Sequence, residues 1–235
     1  FFAQAHEPGR QGLSDFTDAK ELAVTLEGIP FSHRLYQFAL AYSGWRHVEV
    51  ILGGESWVAL STGLQNALWA LGGVPAEHRT DSLSAAFNNL AEREELTRRY
   101  DELCERYGMR ATRNNHGVSH ENGSIESRQG TTKRSLEQAL LLRGSRDFSS
   151  LVDYRHFVAE VALRLNARTT KALAVERACL QALPSRRTSD YEEVDARVTK
   201  FALIAVKCIP YSVPSRLVGQ RLKIRVYEER IEGYL

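Results

Sequence analysis

Three acidic residues stand at positions where a carboxylate is costly unless it has a task. Asp15 interrupts the apolar segment GLSDFTD, Asp81 closes the segment HRTD, and Glu126 lies in NGSIES at the start of a long helical pattern. Taken one at a time, they suit a strand end, the N-cap of the following SLSAAF segment and a helix N-terminus. Taken together, they can converge, and like charges at short range are stable only beside cations.

Such a carboxylate cluster predicts phosphoryl transfer. Carboxylate oxygens are the hard ligands that Mg²⁺ and Mn²⁺ prefer. Two such ions, ~3.5 to 4 Å apart, serve the attacking and the leaving oxygen of an in-line displacement at phosphorus. We therefore expect Asp15, Asp81 and Glu126 to be both metal ligands and catalytic residues, with two Mg²⁺ or Mn²⁺ ions. Asp18 competes with Asp15, which we favour because it follows Leu13 with strand parity.

The elements that must position these acids follow an α/β order. HRLYQFALAYS (33–43) and HVEVILGG (47–54) predict a β-hairpin. Upstream, Leu13–Thr17 and the stretch ELAVTLEG add a strand candidate whose limits the pattern leaves open. Apolar residues at helical spacing predict a helix from an N-cap at Ser56 to a stop at Gly72. The next predicted elements are a short strand with Val74 and HRTD, a helix over 93–107, the short segment MRATRN and a helix from about Ser124. Gly130 inside this last helix costs ~1 kcal/mol of helix stability relative to alanine.

The rest of the chain predicts a second helix and a β-module. SSLVDYRHFVAEVALRLNAR is amphipathic, and residues 191–235 read as short strands separated by Pro214 and Gly219. We expect an α/β core over 1–145, a helical connector over 146–188 and a small, incomplete β-barrel-like module over 189–235.

Composition limits the classes of protein. The 235 residues are 43% hydrophobic and 26% charged, with a net charge of +2, which is ordinary for a globular protein. No apolar run approaches the ~18 residues of a membrane span. The three cysteines, Cys104, Cys179 and Cys208, form no CxxC pair, so we expect a reducing cytoplasm rather than disulfides or zinc. The only methionine is Met109, so we interpret the chain as part of a longer protein.

Four longer segments carry a family resemblance: NNHGVSHENGSIESRQGTTKRSLEQAL, GLQNALWALGGVPAEHRTDSLSAAF, LTRRYDELCERYGMRATRNN and YSVPSRLVGQRLKIRVYEERIEGYL. They resemble IstA-type transposases of bacterial insertion sequences, whose core is similar to retroviral integrases. The resemblance implies an RNase H-like mixed sheet flanked by helices, and an Asp, Asp, Glu site at Asp15, Asp81 and Glu126. It also implies cut-and-join chemistry on DNA, a homo-oligomer on DNA, an AAA-type ATPase helper and a location at the bacterial nucleoid.

Basic residues predict the DNA contacts. Lys133 lies seven positions after Glu126 and so on the same helix face, where its ammonium can reach a phosphate; a solvated lysine is the alternative. Arg113 and Asn114 lie in the polar loop before Glu126. The stretch from Ala196 to Tyr227 contains seven basic residues and no acidic one, and we expect Arg216, Arg221 and Lys223 to contact phosphates.

Two other functions stay open. The chain could be a non-catalytic DNA-binding or assembly fragment of a transposase, or an RNase H-like nuclease without strand transfer. The N-terminal helix-turn-helix of the family has no counterpart here.

His78, two residues before Thr80, is more typical of a hydrogen-bonded strand residue than of a proton donor. Trp45, Trp57 and Trp69 suit core packing better than base stacking.

Overall fold

The computed structural model describes residues 6–52, 54–80, 90–112, 123–189 and 191–235, with backbone alone at 90–93 and 123–129. The chain forms two compact units, unit 1 (Phe1–Arg187) and unit 2 (Thr188–Leu235). Within the described ranges, no helix is long and apolar enough to cross a membrane. The functional division at 145 and 188 stays a prediction.

Unit 1 mixes strands and helices, as the order of sequence patterns predicts. In chain order its elements are β1 (Gln11–Asp18), β2 (Thr25–Leu26), β3 (Ile29–Pro30), β4 (Arg34–Leu40), β5 (Arg46–Ile51), α1 (Trp57–Leu71), β6 (Glu77–Thr80), α2 (Leu90–Arg106), β7 (Arg110–Thr112), α3 (Gly123–Arg143), β8 (Asp147–Phe148), α4 (Leu151–Asn166) and α5 (Thr170–Arg177). Unit 2 contains β9 (Glu192–Arg197), β10 (Leu203–Val206), β11 (Ile209–Ser212), β12 (Arg221–Val226) and β13 (Ile231–Tyr234).

A five-stranded mixed sheet forms the centre of unit 1. Its strand order is β5-β4-β1-β6-β7, so β1 is the central strand. The predicted hairpin is confirmed, because β4 and β5 pair antiparallel. β4 also pairs antiparallel with β1, whereas β6 runs parallel to β1. A parallel neighbour needs a crossover, and α1 lies in the chain between β5 and β6.

Apolar residues cover both faces of this sheet. One cluster joins Phe16 and Tyr36 of the sheet to α1 and α2. A second cluster joins Leu35 and Val48 to α3 and α4, with Tyr154 of α4 fully buried. The two helical layers thus hold the sheet between them, which is the general solution for an α/β core.

Helix α1 begins and ends where its sequence predicts. The Ser56 side chain accepts a hydrogen bond from the amide of Ala59 at 3.1 Å, and Gly72 closes the helix at φ 82°. Gly63 allows the helix to approach the sheet closely, because a Cβ there would lie 2.5 Å from the buried Tyr36 ring. Trp45 and Trp57 belong to the same core cluster, and Trp69 packs against it, as expected.

The upstream strand candidate is confirmed over Leu13–Thr17, which lies within β1, but is wrong over most of ELAVTLEG. Residues Lys20–Leu22 form a 3₁₀ turn, Ala23 takes a left-handed conformation at φ 48°, and only the two residues of β2 are extended. Leu22 and Val24 are buried in the second cluster from this irregular segment. Leu22 and Val24 are therefore buried without belonging to a long strand. Their burial depends on tertiary packing, which the local sequence pattern does not contain.

Unit 2 is an all-β module. β12 lies between β9 and β13 in a three-stranded antiparallel sheet, and β10 and β11 form a separate hairpin. A small core includes Ala196, Ile204, Leu222 and Ile224. The predicted strands are confirmed, with β9 as a further strand.

A buried carboxylate fastens α5 to two distant loops. Glu176 is fully buried, and its two carboxylate oxygens accept the backbone N–H of Gly9 at 3.2 Å and that of Ser43 at 2.9 Å. Gly9 precedes β1, and Ser43 lies in the turn between β4 and β5. The side chain therefore holds the ends of the sheet's central strands against the helical layer.

We expect Glu176→Ala to lower the free energy of unfolding of unit 1 by about 3 kcal/mol, because two buried N–H groups lose a charged acceptor. Urea unfolding followed by circular dichroism measures the change. Glu160→Ala removes an exposed helical carboxylate of α4 and is the control, for which we expect little change. Equal effects of the two substitutions would show that the hydrogen bonds of Glu176 do not contribute to the stability of unit 1.

Candidate active site

Asp15 lies in the central strand, on the face opposite to its neighbours. Ser14 is buried and Phe16 belongs to the first core cluster, so the alternation of the strand turns Asp15 to the other face. There it lies across from Gln37 of β4 and is half-buried. Its Oδ1 accepts the Phe16 amide at 2.8 Å. The carboxylate is thus held in a sheet but partly open to solvent.

Helix α3 covers the face that carries Asp15. Leu35, which pairs with Thr17 on that face, shares the second cluster with Leu136 and Leu140 of α3. Thr132 is buried, and its hydroxyl accepts a hydrogen bond from Arg46 Nη1 at 3.0 Å. α3 begins at Gly123 and continues through Gly130 without a break, so its first turn includes the backbone of Glu126. The Glu126 side chain lies outside the described residues.

The second predicted acid follows the strand next to Asp15. Asp81 lies outside the described residues, and its predecessor Thr80 is the last residue of β6. Thr80 pairs with Ser14, the neighbour of Asp15, in parallel register. Within the described residues, the buried Thr80 hydroxyl has no hydrogen-bond partner. The strand that leads to Asp81 therefore ends beside Asp15.

Asp18 has a local task at the end of β1. Its Oδ1 accepts the backbone N–H of Lys20 at 2.8 Å, and this hydrogen bond holds the pKa of the carboxyl below its usual value. The side chain is exposed and closes the turn that follows the strand. This geometry explains the presence of Asp18 without a catalytic role.

Lys133 forms an ion pair near this site. Its Nζ lies 2.5 Å from Glu21 Oε2, in the turn that follows β1, and its side chain is 27% exposed. The lysine therefore lies beside the end of the central strand, although it contacts a carboxylate there. No group of three or more His, Cys, Asp or Glu side chains able to hold a metal occurs among the described residues, a set that contains neither Asp81 nor the Glu126 side chain.

A buried polar chain supports the site from the opposite face. The Ser14 hydroxyl lies 2.6 Å from the Tyr36 hydroxyl and 2.7 Å from His78 Nε2, and His78 Nδ1 lies 2.7 Å from the Tyr100 hydroxyl. The Tyr100 hydroxyl also donates to the His78 carbonyl at 3.0 Å. All four side chains are buried.

This arrangement determines the protonation of His78. Burial lowers the pKa of His78 to about 3, so the ring is neutral near pH 7. Since Tyr100 donates its proton to the His78 carbonyl, its oxygen accepts from Nδ1, and Nε2 is left to accept from Ser14. The interpretation of His78 as a hydrogen-bonded strand residue is thus confirmed. Strand alternation shows that Ser14 and Tyr36 point inward, but it cannot reveal that they meet His78.

The predicted DNA contacts are divided between the units. Arg113 and Asn114 lie outside the described residues. In unit 2, Arg216 is exposed in a 3₁₀ turn (Ser215–Leu217), and Arg221 and Lys223 are exposed on β12. The Lys223 ammonium lies 3.2 Å from Glu193 Oε1. Lys223 and Arg225 of the acid-free stretch therefore face a carboxylate of β9 in the fold.

Comparison with known proteins shows similarity to a transposase domain and to a retroviral intasome. Residues 183–235 match the family described as the Mu transposase C-terminal domain. A chain of the simian T-cell lymphotropic virus intasome, solved by cryo-EM in complex with the PP2A regulatory subunit B56 gamma, gives a TM-score of 0.56 at 12% identity, over 100% of this chain and 82% of that chain. The chain is thus similar in fold to a chain of this retroviral intasome, and its last 53 residues are similar to the C-terminal domain of Mu transposase.

Two further similarities complete the comparison. The chain is 53% identical over its full length to the uncharacterized protein y4jA/y4nE/y4sE of Sinorhizobium fredii (strain NBRC 101917 / NGR234), of which it covers 47%. It spans about half the length of that curated relative. The HTLV-2 integrase catalytic core domain, solved in complex with magnesium, gives a TM-score of 0.46 at 19% identity, over 68% of this chain and 87% of that chain.

Proposed function

We propose that this chain is the catalytic region of an IstA-type DNA transposase, which cleaves the 3' ends of a mobile element and joins them to target DNA. One observation carries the proposal. Asp15 lies on the central strand, beside the strand that leads to Asp81 and beneath the helix whose first turn carries Glu126. Asp15, the residue before Asp81 and the helix turn that includes Glu126 thus lie on three elements of one α/β core, which supports the proposal that the three acids converge.

The proposed donor set suits divalent metal. Asp15 offers a carboxylate that is half-buried and partly open to solvent, and the two other acids add only oxygen ligands, the chemistry that Mg²⁺ and Mn²⁺ select. Asp15, Asp81 and Glu126 would hold two such ions. When bound, the metal supplies activation of the attacking oxygen and stabilisation of the leaving oxygen.

The protein's own contribution is a rigid support for the acids. The polar chain from Tyr36 to Tyr100 ties β1 to β6 one residue before Asp15 and three residues before Asp81, and Thr132 ties α3 to β5 through Arg46. In this proposal Lys133 contacts a DNA phosphate in exchange for its present partner Glu21. Arg113, Asn114, Arg216 and Arg221 are the further DNA contacts in this proposal, whereas Lys223, whose ammonium lies 3.2 Å from Glu193 Oε1, is not assigned a phosphate.

The proposed transposase function also implies partners. Element ends and target DNA are the substrates, and a homo-oligomer assembled on DNA brings two ends together. An AAA-type ATPase helper and a cytoplasmic, nucleoid-associated location rest on the resemblance to IstA-type transposases alone.

The test is a strand-transfer assay with the protein at full length, oligonucleotides carrying the element ends, and Mg²⁺ or Mn²⁺. We expect Asp81→Asn and Glu126→Gln each to abolish both 3' cleavage and joining, whereas Glu102→Gln, an exposed acid of α2, keeps both. Binding of Mn²⁺, followed by electron paramagnetic resonance, should fall in the same two variants.

The outcomes separate the alternatives. Cleavage without joining in the wild-type protein would favour the nuclease, and DNA binding without either step would favour an assembly fragment. Wild-type activity in both acid variants would refute the enzymatic proposal.

A further inference from the structure

The outer face of the unit 2 sheet carries a regular row of charges. On β12, Leu222 and Ile224 point into the small core, so Arg221, Lys223 and Arg225 point outward. β9 places Arg197, Asp195 and Glu193 directly across from these three residues, in that order. The face therefore consists of three cross-strand pairs, of which two join opposite charges and one joins like charges.

The two cations of the mixed pairs have partners within the fold, whereas the exposed Asp195 forms no side-chain ion pair among the described residues. Glu193 is the partner of both cations, since it lies 3.2 Å from the Lys223 ammonium and 3.8 Å from Arg225 Nε. The Arg225 guanidinium also stacks over the rings of Tyr191 and Tyr234, at 4.5 and 4.7 Å from their centroids. These contacts use the two cations internally.

The remaining pair, Arg197 and Arg221, has no such compensation. Both side chains are exposed, and within the part of the chain that the structure describes neither forms a side-chain ion pair or hydrogen bond. Residues directly opposite in an antiparallel sheet have Cβ atoms roughly 5 Å apart, and like charges at that distance are destabilising. An anion bound between the two guanidinium groups would remove this repulsion.

We propose that the Arg197–Arg221 pair is a phosphate-binding site, and that its ligand is a backbone phosphate of duplex DNA. The choice of DNA rests on the proposed function. The chemistry rests on the pair itself, because two guanidinium groups on neighbouring strands present their planar N–H donors to one tetrahedral anion. Arg221 then contributes more to DNA binding than Lys223, although the sequence pattern makes them equivalent, and Arg197 is an additional contact.

The charge row provides a matched test. The test uses four variants of the full-length protein: Arg197→Gln, Arg221→Gln, the double variant and Lys223→Gln. Fluorescence anisotropy gives the dissociation constant of each for a 30-bp DNA duplex at several NaCl concentrations. We expect each arginine variant to weaken binding about tenfold and to lower the slope of log K against log salt by roughly 0.9, the value for one phosphate. Because both arginines serve one phosphate, the double variant should lose little more than either single variant.

Lys223→Gln is the control, since it removes one positive charge from the same strand face. It should weaken binding less than twofold. An equal loss in Lys223→Gln and Arg221→Gln would overturn the proposal in favour of a diffuse basic surface, as would an unchanged salt slope in both arginine variants.

Thermal unfolding gives a second readout. In the absence of DNA and at low salt, Arg221→Gln should unfold at the same temperature as the wild type or higher, because repulsion is relieved. Inorganic phosphate should raise the unfolding temperature of the wild type more than that of the double variant. A phosphate effect without a change in DNA binding would identify a site for free phosphate and contradict the DNA assignment.

The DNA-binding measurements on the arginine variants do not depend on catalysis. Asp15→Asn, which tests the proposed active site, should keep the wild-type salt slope. Loss of slope in the arginine variants of an inactive protein would therefore support the phosphate site while the transposase proposal fails.

Discussion

Asp15→Asn should reduce both 3' cleavage and strand transfer by on the order of 10³-fold or more, which is about 4 kcal/mol of transition-state stabilisation. Asparagine has nearly the same shape and can still accept the Phe16 amide, so the strand should remain intact. What is lost is the negative charge on the face beneath α3. Binding of DNA should stay near the wild-type value, because a carboxylate does not attract phosphates.

Asp18→Asn is the matched control for this experiment. It removes the same charge three residues away, and its amide oxygen can still accept the Lys20 N–H. We expect activity within a few-fold of the wild type. If Asp18→Asn is inactive while Asp15→Asn retains activity with Mg²⁺, the assignment of the first acid is wrong. If neither substitution matters, the chain is not an enzyme of the proposed kind.

The second large effect is a loss of stability in mild acid caused by His78. Burial lowers its pKa to about 3 in the folded protein, whereas an unfolded histidine titrates near 6.5. Between these values the unfolded chain binds one more proton than the folded chain, so stability is complete above about pH 6.5 and falls as the pH decreases. At pH 5 the loss attributable to His78 is about 2 kcal/mol.

Urea unfolding at pH 7.5 and pH 5 measures this loss. His78→Gln should be less stable at pH 7.5, since it disrupts the buried chain to Ser14 and Tyr100, but its stability should depend less on pH. His156→Gln, an exposed position on α4, should keep the full wild-type dependence. His33 has a pKa lowered by burial as well and adds a change of the same sign. An identical pH dependence in His78→Gln and the wild type would contradict the assignment.

The local patterns of the chain predicted most of the regular elements. The hairpin β4–β5, helix α1 with its Ser56 cap and Gly72 stop, and the strands of unit 2 follow from periodicity and capping chemistry, which act over a few residues. The ELAVTLEG segment was mispredicted, because its apolar residues are buried through contacts with α3 and α4 rather than through a strand of their own.

The sequence by itself determined which side chains are able to do chemistry here. An acid inside the apolar pattern of β1, one at the end of HRTD and one at the start of α3 are local facts, and they suffice to propose a metal site. The acid-free basic stretch is equally visible in the sequence. The composition of this stretch does not reveal, however, which of its positive charges find carboxylate partners in the fold.

Only the tertiary structure decided which of these groups meet. Strand register brought Ser14 to His78 and Thr80, and cross-strand pairing gave Lys223 a carboxylate partner while it set Arg197 against Arg221. The reason is physical: side-chain pairing depends on contacts between segments that lie far apart in the chain, whereas sequence patterns report only what neighbouring residues prefer.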